Sequence, residues 1–352
     1  MKPVEPIVPL VPVAPVLEVQ GLTTWLRTPR GIVTAVDNVS LSVAPGRALA
    51  IVGESGSGKS MTCLSMLGLL PSNGQVAAGE VRFKGRNLLA LSREDMARVR
   101  GREIGMILQD AMTSLNPLMT IGSQVAEVFR YQQGIRDRAE LRRKTIDVLT
   151  RARIPAAQDR LDSYPFQFSG GMRQRVSIAM NIACEPDLLI CDEPTTALDV
   201  TVQTQIIGLL DTLRRERNMA IVFITHDLHL ASQFCDDVAI MYAGRIVEAG
   251  PVDRVFAKPV HPYTEGLLRA VPTLGATGER LATIAGQPPV LSDLPAGCRF
   301  APRCAYASAL CHERYPDWYE WNEGADSVDP RGERRVACHA TEARLQAAWS
   351  AS

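Results

Sequence analysis

The chain is predicted to be an α/β protein with a mainly parallel sheet at its core, an antiparallel β subdomain, a helical insertion and a small loop-rich C-terminal extension. Three observations predict this. Short apolar runs, Ala48-Leu49-Ala50-Ile51-Val52, Leu188-Leu189-Ile190-Cys191 and Ala220–Thr225, each end at a glycine or a polar residue, as strands buried on both faces do. Segments of helical period separate them, the alternation that builds a parallel sheet. After about residue 258 the composition changes: Pro259, Pro262, Pro272, Pro288, Pro289, Pro295 and Pro302 break up any long regular element.

Each element follows from local pattern. Val16–Val19, Ala35-Val36 and Val39–Val43 read as strands, and Ala48–Val52 feeds directly into a glycine-rich turn. A helix is expected over Met61–Leu70, stopped by Pro71 and Gly74. Val81-Arg82-Phe83 and Ile104–Leu108 are further strands, the latter ending at Gln109. Ser123–Tyr131 and Ala139–Arg151 carry helical apolar spacing, so residues 110–167 form the helical insertion. The charges in Arg136-Asp137-Arg138 and Arg142-Arg143-Lys144 read as its solvated face. A helix over Gly171–Cys184 leads to strand Leu188–Cys191. Helix Ile206–Arg215, strand Ala220–Thr225 and a hairpin over Ala239–Glu248 turning near Ala243-Gly244 complete the core. The expected divisions are a Pro-rich arm (1–15), a main α/β domain (16–258), a C-terminal extension (259–342) and a tail (343–352).

Composition narrows the function. With 38 basic and 38 acidic residues among 352, formal net charge is zero, which argues against general nucleic-acid binding. No apolar run approaches the roughly 20 residues that span a bilayer, so membrane association must come through a partner. The apolar N-terminus has prolines at 3, 6, 9, 12 and 15, which forbid the helical core of a secretory signal. Proline at every third position fits a disordered arm or a polyproline docking strip. Without secretion the eight cysteines are not expected to form disulfides. Cys63, Cys184, Cys191 and Cys235 read as small buried hydrophobes.

The chemistry lies in a phosphate loop, Gly53-Glu54-Ser55-Gly56-Ser57-Gly58-Lys59-Ser60, followed by Met61 in the helix. Its glycines let backbone N–H groups wrap phosphates at a helix N-terminus. Lys59 supplies a point charge and Ser60 a hydroxyl for Mg²⁺. Asp192 and Glu193 end an apolar strand, where carboxylates reach the phosphate site of a parallel sheet. Asp192 would hold Mg²⁺ and Glu193 would polarise the attacking water.

The segment Phe168-Ser169-Gly170-Gly171-Met172-Arg173-Gln174, in this order after the phosphate loop, resembles the ATP-binding cassette ATPases. Gln109–Pro117, Asp192–Gln203 and His261-Pro262-Tyr263-Thr264 extend the resemblance to the ATPase subunits of dipeptide/oligopeptide importers, over roughly residues 17–342. The resemblance implies ATP and Mg²⁺ as ligands, with Gln109 on Mg²⁺ and sensing the γ-phosphate. Ser169, Gly170 and Gly171 would cap the nucleotide of a partner ATPase, Asp199 would cross the dimer interface, and His226 would contact the γ-phosphate. Trp25 is the candidate for stacking on adenine, although its spacing differs by a residue from the usual pattern. Phe168 stands where Leu is commoner, and Cys191 is unusual before Asp192. The implied partners are a second, homologous ATPase chain in a heterodimer, two membrane permeases and an extracytoplasmic solute-binding protein. The implied place is the cytoplasmic face of the inner membrane. A nickel importer ATPase would look almost identical. A soluble cassette protein of DNA repair or translation would normally carry two cassettes, a coiled coil or a basic surface.

Cys298, Cys304, Cys311 and Cys338 have five, six and 26 residues between them, in a region too irregular to build a core. Four gathered thiols suggest a metal staple. The segment Gly297–Cys304 resembles the importer region where four cysteines hold a [4Fe–4S] cluster. Zinc is the alternative, and His312 and His339 leave a mixed Cys/His site open. The role expected is structural, because the nucleotide motifs are complete without it.

Overall fold

In the computed structural model, strand β3 (Ala48–Val52) is wholly buried and runs into the phosphate loop, which opens helix α1 (Lys59–Met66). The structure describes residues 14–109, 114–196, 198–270, 283–321 and 334–339. The Pro-rich arm up to residue 13 and the 343–352 tail lie outside the described residues. The chain divides into two compact units. One comprises residues 1–42, 49–89 and 225–352; the other comprises 43–48 and 90–224.

In the first unit β1 (Leu17–Thr28), β2 (Gly31–Val43), β4 (Gly74–Phe83) and β5 (Arg86–Asn87) form an antiparallel sheet in the order β2-β1-β4-β5. This is the expected antiparallel subdomain. Its strands are longer than the short apolar runs suggested, because β1 and β2 alternate polar and apolar residues and bury one face only. Strand β3 pairs in parallel with β9 (Asp237–Tyr242), Leu49 facing Asp237 and Val52 facing Ile240. A turn at Ala243-Gly244 returns the chain as β10 (Arg245–Pro251), antiparallel to β9. Helix α7 (Leu228–Phe234) precedes β9, and α8 (Val252–Ala257) and α9 (Pro262–Arg269) come after β10.

The late region is less irregular than its prolines suggested. Short α10 (Ala309–Glu313) carries Cys311, and β11 (Tyr319–Trp321) and β12 (Arg334–Val336) pair with each other. Strand β12 pairs with β10, so the extension lengthens the sheet that carries the phosphate loop. Aromatic and guanidinium groups fasten it there. Phe300 packs edge-on against Tyr242 at 5.3 Å and lies 5.4 Å from Tyr263. Arg299 bonds to Asp37 and to the Ala243 carbonyl, and Arg245 pairs with Asp37 at 2.8 Å while lying 3.9 Å over the Tyr315 ring. Arg334 forms a fully buried pair with Glu248 at 2.7 Å. The Glu248 carboxylate also accepts the N–H groups of Val260 and His261 at 3.0 Å each.

The second unit holds three parallel strands, β6 (Ile104–Ile107), β7 (Leu188–Asp192) and β8 (Ala220–Thr225), in the order β6-β7-β8. Its helices are α2 (Arg93–Val99), α3 (Ile121–Gln133), α4 (Arg138–Arg151), α5 (Gly170–Ile182) and α6 (Val200–Arg217). Capping sets their ends. Thr120, Asp137, Ser169 and Asp199 each accept a backbone N–H from the first turn of their helix. Gly134 and Asn218, both left-handed, end α3 and α6. Ile121, Val125, Phe129, Leu141, Val148 and Leu149 form the apolar faces of α3 and α4, while Arg142 and Arg143 are exposed as their pattern required.

Candidate nucleotide site

The phosphate loop is held by close backbone approach. A Cβ on Gly53 would stand 2.1 Å from the Met241 carbonyl oxygen, so no side chain fits there. Gly58 has φ 104°, and its missing Cβ would stand 2.5 Å from the Ala35 carbonyl oxygen. The N–H of Gly244 donates to the Ser57 carbonyl at 2.7 Å, tying the loop to the β9–β10 turn. The Lys59 ammonium is buried and donates to the carbonyls of Gly53 and Glu54 at 2.8 and 2.9 Å. It therefore lies back over the loop it is expected to serve. Ser57 Oγ is buried with no hydrogen-bond partner among the described residues. A glycine-rich loop at a helix N-terminus, a lysine laid across it and an orphaned hydroxyl fit a bound phosphate chain. Ser60 and Met61 follow in α1, and exposed His226 comes just past β8. Trp25 stands on β1 opposite Gln75, 37 % exposed.

In the second unit Asp192 closes β7, buried, and Glu193 follows it. The Glu193 carboxylate accepts from Gln109 Nε2 at 3.2 Å and from Thr196 Oγ1 at 2.9 Å. Its backbone is left-handed, φ 46°, with the N–H donating to the Ile224 carbonyl at 3.0 Å. A non-glycine residue in that region is strained, and strain of this kind concentrates at working sites. The sequence singled out Gln109 and Glu193 separately; their contact, and the part of Thr196, could not be read from it. Burial pushes the Cys191 thiol up, as its reading as a buried hydrophobe requires.

Ser169, Gly170 and Gly171 stand at the N-terminus of α5. Ser169 is exposed, and its Oγ accepts the Met172 N–H at 3.3 Å. A Cβ on Gly171 would press to 2.6 Å from Val202 in α6, which explains why a glycine is needed there. Phe168, the departure from the usual pattern, is buried. Asp199 is exposed at the start of α6.

Cys298, Cys304, Cys311 and Cys338 line one small cavity together with His261, Phe300, Tyr306 and His339. Burial raises the Cys298 thiol and pushes that of Cys304 up to about 11. His339 Nε2 bonds to the Arg314 carbonyl at 2.8 Å. His261 is held neutral, its pKa lowered to about 3 by burial, and its Nδ1 accepts the Tyr263 N–H at 3.1 Å. Sequence reasoning did not place His261 beside the cysteines. Among the described residues no three Cys, His, Asp or Glu side chains surround a common point as a single metal ion would need. Four thiols lining one cavity are the donor type that an iron–sulfur cluster takes.

Comparison with known proteins agrees with these features. Residues 36–196 match the ABC transporter family, and residues 247–311 match the oligopeptide/dipeptide transporter C-terminal region. A putative peptide import ATP-binding protein of Brucella abortus is 50% identical over 300 residues, covering 85% of this chain and 90% of that protein. The oligopeptide transport ATP-binding protein OppD of Escherichia coli K12 is 49% identical over 300 residues, covering 85% and 88%. Among solved structures, the dimeric ATP-binding cassette MJ0796 bound to ADP and Pi is 27% identical with a TM-score of 0.60, covering 67% of this chain and 98% of that one. CbiO1 of Clostridium perfringens is similar at 27% identity, TM-score 0.60, covering 69% and 91%. The phosphate loop, the Gln109–Glu193 contact and the relatives' near-full coverage agree: this chain belongs to the ATP-binding cassette ATPase subunits of the oligopeptide/dipeptide import family.

Proposed function

We propose that the chain uses ATP hydrolysis to drive uptake of di- or oligopeptides, working as one of two ATPase subunits beneath a pair of membrane permeases. Among the described residues no helix is long and apolar enough to cross a membrane, so the permeases would hold it at the cytoplasmic face of the membrane. The observation that carries the reading is Glu193, strained at the end of β7 and held by Gln109 and Thr196. Such a carboxylate is oriented to accept a proton from an attacking water.

The residues divide the work. Backbone N–H groups of the Gly53–Ser60 loop, apart from that of Glu54, which Tyr263 Oη takes, would bind the phosphates together with the Lys59 ammonium. Ser60 of the first unit, and Asp192 and Gln109 of the second, would be the ligands offered to Mg²⁺, which would supply charge neutralisation at the phosphates. Trp25 stacks on adenine, Met61 continues the phosphate-facing helix start, and His226 contacts the γ-phosphate. Ser169, Gly170 and Gly171 present a helix N-terminus to nucleotide held by the second subunit, and Asp199 meets that subunit. Catalysis is then positioning and charge stabilisation, and it requires two chains. In the Cys-lined lobe, Cys298, Cys304, Cys311 and Cys338 would hold a [4Fe–4S] cluster, whose contribution is to cross-link segments that bury little apolar surface.

The test is Glu193→Gln in the complex assembled with its cognate ATPase and permeases. ATP binding should persist while turnover falls about a thousandfold, the scale of losing a positioned general base. Hydrolysis near the wild-type rate would remove Glu193 as the base. Protein expressed natively and purified without oxygen should contain about four irons per chain; stoichiometric zinc without iron would replace the cluster by a zinc staple.

A further inference from the structure

The phosphate loop contains an acid where it must receive a polyanion. Glu54 is the second residue of the loop, and a bare carboxylate there would repel a triphosphate. The structure supplies its partner from the far end of the sequence. Arg303 Nη1 and Nη2 donate to the two Glu54 carboxylate oxygens at 2.7 and 3.0 Å, a fork-to-fork pair. The guanidinium is almost fully buried, its side chain 5 % exposed, and its Nε donates to the Ala285 carbonyl at 2.9 Å. Tyr263 Oη accepts the Glu54 N–H at 2.9 Å, so the extension grips both the side chain and the peptide of this residue. Arg303 immediately precedes Cys304, whose thiol lines the four-cysteine cavity.

We propose that Arg303 is a positioning residue for nucleotide binding: it cancels the charge of Glu54 within the phosphate loop, so that the Cys-lined lobe sets the affinity for ATP. The inference rests on the reading of Gly53–Ser60 as the phosphate loop. It revises the expectation that the nucleotide site is complete without the C-terminal extension. A lysine could supply the charge but not the two-pronged bond, and alanine supplies neither.

MgATP affinity of the full-length chain, measured by calorimetry, tests the idea with four variants. Arg303→Ala should bind about tenfold more weakly at low salt, and the deficit should shrink in about 0.5 M salt as the exposed charge is screened. Arg303→Lys should recover most of the loss. Arg303→Ala combined with Glu54→Gln should also recover it, because the repelling charge is gone. Should Arg303→Ala fail to fold, Glu54→Gln alone decides: with Arg303 left unneutralised beside the loop, it should bind MgATP several-fold more tightly than wild type. Unchanged affinity in Arg303→Ala, a double variant as weak as the single one, a deficit insensitive to salt, or weaker binding by Glu54→Gln would each overturn the inference. Wild-type protein that does not bind MgATP would overturn the phosphate-loop reading, and this inference with it.

Discussion

The phosphate loop and the Cys-lined lobe are both stretches of turn and loop, yet they are held by different means: close backbone approach in the first, ion pairs in the second. In the loop, the residues that permit the contacts lie within eight positions of one another, although the backbone they press against, at Ala35 and Met241, is remote. Glycines permit backbone contacts that any Cβ would break, and Lys59 bonds to carbonyls five and six residues before it. In the lobe the partners are remote: Arg299 reaches Asp37, Arg303 reaches Glu54, and Arg334 reaches Glu248. Local holding leaves a contiguous motif in the sequence. Remote holding leaves only scattered arginines, aromatics and cysteines, each ordinary by itself.

The comparison can be broken at its strongest point first. Gly53→Ala should reduce MgATP affinity about a hundredfold or more, because the added methyl meets the backbone of Met241 and cannot be accommodated by a side-chain shift. Titration of the purified variant checks this, and near-normal affinity would show that the loop is not held by close approach. Next, Arg334→Ala should destabilise the first unit by about 3–5 kcal/mol, since it strands the Glu248 carboxylate in the interior. Urea unfolding measures the loss. Replacing Glu248 with Gln as well should recover part of it, because the amide carries no charge and its oxygen can still accept a backbone N–H. The smallest effect sharpens the contrast: Glu94→Ala removes an exposed pair with Arg98 and should change stability by no more than about 0.5 kcal/mol.

Legibility followed the same division. The apolar runs Ala48–Val52, Leu188–Cys191 and Ala220–Thr225 could be read as strands because burial on both faces leaves them almost wholly apolar. Helix α1 starts two residues before the apolar pattern predicts and ends four residues short of it, because it begins directly at Gly58 of the phosphate loop and its last predicted residues unwind into a turn. The long β1 and β2 were read only in pieces, since a half-exposed strand tolerates Thr, Gln and Asn on its open face. In the site, the sequence singles out residues but not the contacts between them. No local pattern announces that Gln109 and Thr196 meet at Glu193, or that Tyr263 and Arg303 close on Glu54.

The pairing of β10 with β12 has a consequence for how the protein is made. Strand β10 ends at Pro251 and its partner begins at Arg334, so about 80 residues must leave the ribosome before that edge is covered. At roughly 5–20 residues per second, the nascent sheet presents an unpaired edge for roughly 4 to 17 seconds. For most of that interval the phosphate loop also lacks Arg303. The chain therefore acquires its edge protection and its fully gripped nucleotide loop only once the extension has been made, which ties the full grip on Glu54 to synthesis of that lobe.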